Sequence, residues 1–126
     1  MRPVYLLDSA VLIDHLRGVV PATKWLERLR PGEAVISVIT RAEVLSGGTM
    51  EENAAAYDLC EQITCLPLTK DIADRAAELR RIRRWKLPDA FQAALAIDHG
   101  LKLATRNVKD FSEDKDPFVI YPYKIE

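Results

Sequence analysis

Four acidic side chains are spaced so that they could form one metal-binding or acid–base site: Asp8, Glu43, Asp89 and Asp110. Three of them follow short apolar runs typical of strands, and Asp89 lies in the first turn of a predicted helix. The carboxyl ends of parallel strands meet at one edge of a sheet, where such folds bind their ligands. We therefore expect the four carboxylates to converge at that edge.

Each acid also has a purely structural interpretation. Asp8 and Asp89 lie at helix starts, where a carboxylate caps amides or is favoured by the helix dipole. Glu43 lies three residues after Thr40, which is the spacing of a capping box, and Asp110 has the same spacing from an asparagine. Taken singly these roles are the more common ones, but four such acids at one edge favour a shared site.

Carboxylates gathered at this density need a counter-ion or protonation. Each like-charged pair at about 4 Å repels by roughly 1–4 kcal/mol, depending on exposure to water. Either some carboxyls are protonated or a cation is bound. Oxygen donors without His or Cys suit hard cations, so we expect one or two Mg²⁺ or Mn²⁺ ions. A pair of such ions is a common arrangement for phosphodiester hydrolysis.

The composition indicates one globular domain, spanning residues 1–126. A length of 126 residues fits the range of about 100–200 residues per domain. The 18 Lys and Arg against 19 Asp and Glu give a net charge of −1, so a surface for nucleic acid must be local. Cys60 and Cys65 lack the partners of a zinc site. Apolar runs are too short for a signal peptide or membrane span, and we expect a cytoplasmic protein with no membrane attachment.

Alternating strand and helix patterns must position the acids. Short apolar runs predict strands at 4–7, 34–39, 65–68, 101–104 and 118–121. Apolar residues at helical spacing predict helices at 10–16, 21–29, 40–45, 51–63, 69–82 and 88–99. The helix predicted at 69–82 would present an apolar face that includes Ile82. This alternation predicts an α/β/α sandwich, with a short, mostly parallel sheet of four or five strands flanked by helices.

Four motifs in series resemble those of PIN-domain ribonucleases. They are LLDSAVLID at 6–14, TRAEVLSG at 40–47, PDA at 88–90 and LATRNVKDF at 103–111. Together they extend over nearly the whole chain, which makes the signal specific, whereas any single motif would be weak. Within that family the sequence most resembles the VapC toxins of bacterial toxin–antitoxin pairs.

This resemblance implies a PIN-like fold and an endoribonuclease that hydrolyses RNA with Mg²⁺ or Mn²⁺. The catalytic and metal-binding acids that it implies are Asp8, Glu43, Asp89 and Asp110. The supporting residues would be Ser9, Thr105 and Asn107. The resemblance also implies a homodimer and a cognate VapB-type antitoxin, whose C-terminal segment covers the site.

Three residues in or near the motifs, Asp114, Asp116 and Gln92, can each be interpreted in two ways. Asp114 or Asp116 could take the place of Asp110 as the fourth acid. Gln92 departs from the small and aliphatic residues usual after the third acid. We expect Gln92 to decorate the surface or a groove, with contact at the edge of the site as the alternative.

A local basic cluster precedes the third acid and could bind RNA. The phosphate contacts that we expect come from Arg83, Arg84, Lys86 and Arg106, because arginine forks match phosphate oxygens. The alternative is a solvated helix face. Trp85 could stack on a base, although packing is the more common role of tryptophan.

The residue pattern also permits other functions. The acids could hold a cation in a non-catalytic interaction module with a PIN-like or receiver-like sheet. A nuclease for structured DNA is less favoured, because so short a chain lacks the added helices that thread a flap. Neither His15 nor His99 is placed to activate Ser9, which disfavours a Ser-His-Asp site. Apolar residues around Trp25 and Tyr57 leave room for a dimer contact and an antitoxin groove, or are simply core.

Overall fold

A computed structural model describes residues 2–125, which form five strands and six helices. The strands are β1 (Tyr5–Leu7), β2 (Ala34–Ser37), β3 (Thr64–Leu66), β4 (Lys102–Ala104) and β5 (Val119–Ile120). The helices are α1 (Ser9–Leu16), α2 (Val20–Glu27), α3 (Val38–Leu45), α4 (Met50–Glu61), α5 (Lys70–Arg83) and α6 (Leu87–His99). The α/β alternation predicted from the sequence is confirmed. No helix within the described range is both long and apolar enough to cross a bilayer.

The strands form one parallel sheet in the order β3-β2-β1-β4-β5. The central strand β1 pairs with β2 through Leu6 opposite Val35, and with β4 through Leu7 opposite Ala104. The strand order reverses beside β1, because the chain crosses from β3 to β4 through α5 and α6. Such a switch point opens a crevice at the carboxyl ends of the strands.

Helices cover both faces of the sheet. Leu6 packs in a core formed with α5 and α6, whereas Leu7 packs in a second core with α1, α3 and α4. Successive residues of a strand point to opposite faces, so two adjacent leucines serve two cores. Helix α6 presents fully buried small residues: Ala90, Ala93, Ala94 and Ala96. These small side chains allow α6 to pack closely, and the expected three-layer sandwich is confirmed.

Two local predictions are wrong. The strand predicted at 34–39 ends at Ser37, whose hydroxyl accepts a hydrogen bond from the N–H of Thr40 (3.1 Å) and caps α3. A side-chain cap therefore overrides the strand preference of the β-branched residues Val38 and Ile39. On α5, Ile82 is 75% exposed, because the apolar spacing continues beyond the part of the helix that is covered.

Candidate active site

Asp8 lies at the switch point, directly after β1. Its N–H donates to the carbonyl of Ala104 (3.0 Å). One carboxylate oxygen accepts from the N–H of Ser9 (2.9 Å), and the other accepts from the hydroxyl of Thr105 (2.7 Å). The capping contact considered for Asp8 is therefore present, but only one oxygen is used for it. Two donors from different elements hold the carboxylate in one orientation.

The loop after β4 brings Asp110 to the same edge. The buried hydroxyl of Thr105, which donates to Asp8, accepts from the N–H of Asn107 (3.0 Å). The Asn107 amide donates to the Asp110 carboxylate (3.0 Å) and accepts from the N–H of Asp110 (3.3 Å). Two uncharged residues, Thr105 and Asn107, thus link the first acid to the fourth. The reciprocal pairing of Asn107 and Asp110 closes a turn rather than a helix start.

Glu43 is carried by α3, three residues after Thr40. The predicted capping box between them is wrong, because α3 begins earlier at the cap Ser37 and Thr40 is buried within the helix. Partial burial and the charge of Asp8 raise the pKa of Glu43, and the nearby Ser9 hydroxyl opposes this shift. Glu43 therefore lies close enough to Asp8 for the two carboxyls to repel each other.

Asp89 lies in the first turn of α6, where the charges of the other three acids of the set affect its pKa. Burial and then the charges of Asp8, Asp110 and Glu43 raise the pKa of Asp89 to about 6, and Lys86 opposes the shift. Charge–charge effects of this kind act over short distances, since solvent and salt screen them. The other three carboxyls therefore lie close enough to Asp89 to affect its ionisation at this edge of the sheet.

The chemistry of this donor set fits a hard divalent cation. All four groups offer carboxylate oxygens, and none belongs to an ion pair among residues 2–125. Burial, and then the charges of neighbouring carboxyls, raise the pKa values of Glu43 and Asp89, so a bound cation would favour their ionised forms. Across the same residues, no three His, Cys, Asp or Glu side chains are already close enough to hold an ion. A cation would thus have to draw the carboxylates together.

A buried polar contact near these acids was missed by sequence reasoning. Gln92 is 3% exposed, and its amide donates to the hydroxyl of Thr40 (2.8 Å). Surface or groove decoration is therefore wrong for Gln92, because its position on α6 faces the core. Helical spacing carried a usable signal, since Leu95 and Ala96, three and four residues after Gln92, are apolar and lie on the same side of α6.

The segment between α5 and α6 is tied to the Asp110 loop. Trp85 is 5% exposed, packs against Phe111, and donates its indole N–H to the carbonyl of Asp110 (2.9 Å). Base stacking by Trp85 is therefore wrong, because the ring is buried. Arg83 lies over this ring and makes a bidentate pair with the buried Asp116 (2.5 and 3.3 Å). That pair excludes Asp116 as a substitute fourth acid.

Arg106 also has a structural partner. Its guanidinium pairs with Asp14 on α1, which is 5% exposed and accepts from the hydroxyl of Tyr123 (2.7 Å). These contacts fasten the loop after β4 and the C-terminal segment to α1. Two of the four predicted RNA-binding residues lie outside the ion pairs found in the described chain, namely Arg84 and Lys86. Both are exposed, and RNA binding by them stays a prediction.

Comparison with known proteins agrees with this geometry. Residues 5–114 match the PIN domain family. Ribonuclease VapC10 of Mycobacterium tuberculosis is 40% identical over 124 residues, which cover 91% of this chain and 93% of the relative. A toxin–antitoxin complex from Klebsiella pneumoniae has a TM-score of 0.87 at 36% identity, covering 96% of this chain and 99% of the other. FitAcB from Neisseria gonorrhoeae shares the fold, with a TM-score of 0.77, 23% identity and coverage of 97% and 100%. The chain therefore belongs to the PIN-domain family and is similar to its VapC members.

Proposed function

We propose that the protein is a divalent-metal-dependent endoribonuclease that acts as the toxin of a VapBC-type pair. The main support is the convergence of carboxyls at one edge of the sheet, where Thr105 and Asn107 link Asp8 to Asp110. The charges of these two acids and of Glu43 also act on Asp89. The similar proteins VapC10 and VapC19 are named ribonucleases, which supports the reaction class. The catalytic acids of this proposal are Asp8, Glu43, Asp89 and Asp110.

The proposed cofactor is Mg²⁺ or Mn²⁺, as one or two ions held by these acids. When bound, such an ion lowers the pKa of water and stabilises charge on phosphate oxygens. The protein orients the ligands: Ser9 and Thr105 hold the carboxylate of Asp8, and Asn107 holds that of Asp110. Outer contacts of this kind typically change metal affinity or activity by about 10–100-fold.

RNA is the proposed substrate, and its phosphates need positive charge beside the acids. Lys86 immediately precedes α6, and its charge acts on Asp89. The exposed Arg84 is two residues earlier. An uncompensated acid cluster repels a polyanion, so a bound cation together with these basic side chains favours approach of the phosphate backbone.

A VapB-type antitoxin is the proposed inhibitor. A structural neighbour at 36% identity is described as a toxin–antitoxin complex, which supports a partner of this kind. Beside Glu43 runs a groove between α1, α3 and α4, with an apolar lining that includes Ile13, Leu16 and Val44. An antitoxin segment in this groove that inserts Arg or Lys among the carboxylates would compete with the cation. Full metal affinity and activity in a purified complex would contradict this. The proposed homodimer rests on the family resemblance.

Cleavage of RNA after removal and return of the metal tests the proposal. Protein treated with EDTA should be inactive and should regain endonucleolytic cleavage with Mg²⁺ or Mn²⁺. Asp8→Asn and Asp89→Asn should each lose about 100-fold or more in rate while retaining the circular dichroism spectrum of the parent. Asp98→Asn is the matched control, since that carboxylate on α6 pairs with Arg75 (2.7 Å).

Three other results of this experiment would each lead to a different conclusion. Robust cleavage by Asp8→Asn or Asp89→Asn removes that residue from the active set. A parent that binds Mn²⁺ but cleaves no RNA supports the non-catalytic cation-binding module instead. Faster cleavage of flap DNA than of RNA would replace the proposed substrate class.

A further inference from the structure

A buried hydrogen-bond network lies beside the acid cluster, and Thr40 is its hub. The hydroxyl of Thr40 donates to the carbonyl of Leu7 (3.2 Å) and accepts from the amide of Gln92 (2.8 Å). The N–H of Thr40 donates to the hydroxyl of Ser37 (3.1 Å). These four residues are at most 3% exposed. Water therefore cannot easily replace the bonds, and each one constrains the elements that it joins.

The network touches three elements that carry or directly precede acids. Leu7 ends β1 and immediately precedes the first acid. Thr40 lies on α3, three residues before Glu43. Gln92 lies on α6, three residues after Asp89. Positions three apart are neighbours along one side of a helix, so a single hydroxyl connects the supports of three carboxylates.

The number of hydrogen-bond donors available determines how the Gln92 amide is oriented. The hydroxyl of Thr40 has one proton, which goes to the carbonyl of Leu7, so Gln92 must offer its NH₂ group. This orientation leaves Oε1 of Gln92 buried without a hydrogen-bond partner among residues 2–125. An unsatisfied buried acceptor lowers stability, and an apolar side chain of the same length would avoid that loss. Stability alone therefore does not account for a glutamine at this position.

We infer that Gln92 is a positioning residue, which acts through Thr40 to limit the separation of Asp8, Glu43 and Asp89, so that a divalent cation has less far to draw them together. This inference rests on the proposed function and extends it to a residue outside the acid set. Repulsion pushes the acid-bearing elements apart when no ion is bound. A cross-link between α6, α3 and the end of β1 opposes that movement, so less rearrangement is needed on binding.

Mn²⁺ titration of the protein without RNA tests this role. Gln92→Met keeps the length of the side chain but removes its hydrogen bonds, and it should raise the Kd for Mn²⁺ about tenfold. Its urea midpoint without metal should equal or exceed that of the parent, because the unsatisfied acceptor is gone. Gln62→Met, at the exposed end of α4, is the matched control and should bind Mn²⁺ like the parent.

A double-mutant cycle shows whether Gln92 acts through Thr40. Thr40→Val removes the hub hydroxyl, whereas Thr40→Ser retains it and should bind Mn²⁺ like the parent. Combining Gln92→Met with Thr40→Val should weaken Mn²⁺ binding no more than the weaker-binding single variant does. Parent-like affinity of Gln92→Met, or additive losses in the double variant, overturns the inference.

Parallel RNA cleavage separates this inference from the proposed function. A positioning role predicts a lower kcat for Gln92→Met with an unchanged KM for RNA. If the parent cleaves RNA and Gln92→Met binds Mn²⁺ normally, the inference fails and the nuclease stands. If Gln92→Met loses Mn²⁺ affinity but the parent cleaves nothing, the nuclease fails and the positioning role stands. A parent that binds no Mn²⁺ overturns both.

Discussion

Replacing Asp89 with asparagine should stabilise the ligand-free protein while it abolishes activity. Burial and three neighbouring carboxyls raise the pKa of Asp89 from 3.8 to about 6, which amounts to about 3 kcal/mol of unfavourable free energy at neutral pH. The carboxyl is half-exposed, so solvent screening reduces this to about 1.5 kcal/mol. Loss of the favourable charge at the start of α6 subtracts about 0.5 kcal/mol. We expect a net gain of about 1 kcal/mol at pH 7, or about 4 °C in Tm.

The gain in the free energy of unfolding caused by Asp89→Asn should depend on pH. Between about pH 4 and pH 6 the folded protein retains a proton on Asp89 that the unfolded chain has released. The contribution of this group to stability therefore falls as pH rises through that window. At about pH 4 the folded carboxyl is protonated, and the advantage of the Asp89→Asn variant should shrink to a few tenths of a kcal/mol. Urea denaturation in EDTA at both pH values measures the difference.

Control measurements isolate the repulsion from general effects of the substitution. Asp98→Asn removes a carboxylate from the same helix, where it pairs with Arg75, and should change stability by less than about 0.5 kcal/mol. Mn²⁺ should stabilise the parent more than Asp89→Asn, because a ligand that binds the folded state raises its stability. If Asp89→Asn is no more stable than the parent at pH 7 in EDTA, the reasoning from mutual repulsion is refuted.

Three further predictions concern contacts around the site. Thr105→Val removes a hydrogen bond to the first acid and should lower RNA cleavage about 10–100-fold in steady-state assays, whereas Thr105→Ser should not. Arg83→Met leaves the buried Asp116 without its ion-pair partner and should cost about 3 kcal/mol in urea denaturation; an unchanged midpoint would contradict a buried pair. Arg84→Gln and Lys86→Gln should each weaken RNA binding and reduce its logarithmic salt slope by about 0.7, and equal slopes for parent and variant would exclude a phosphate contact.

Local patterns in the sequence determined the order of the elements and the edge at which the acids meet. Apolar runs around Leu6 and Ile36 predict strands, because burial on both faces of a parallel sheet requires apolar residues on both sides. In a parallel sheet every strand ends at the same edge, whatever the order of the strands. Asp8 and Asp110 could therefore be placed together before the fold was known.

Only the tertiary structure decided the partners of the polar side chains. The local sequence around Gln92, Trp85 and Arg83 does not show whether these side chains face water, RNA or the core. Their hydrogen-bond partners lie 52, 25 and 33 residues away along the chain. A contact over such a separation leaves no periodicity in the sequence, because it depends on how α5 and α6 pack against the rest of the fold. The hydrogen bond between Gln92 and Thr40 beside the acids thus became visible only when α3 and α6 were in place.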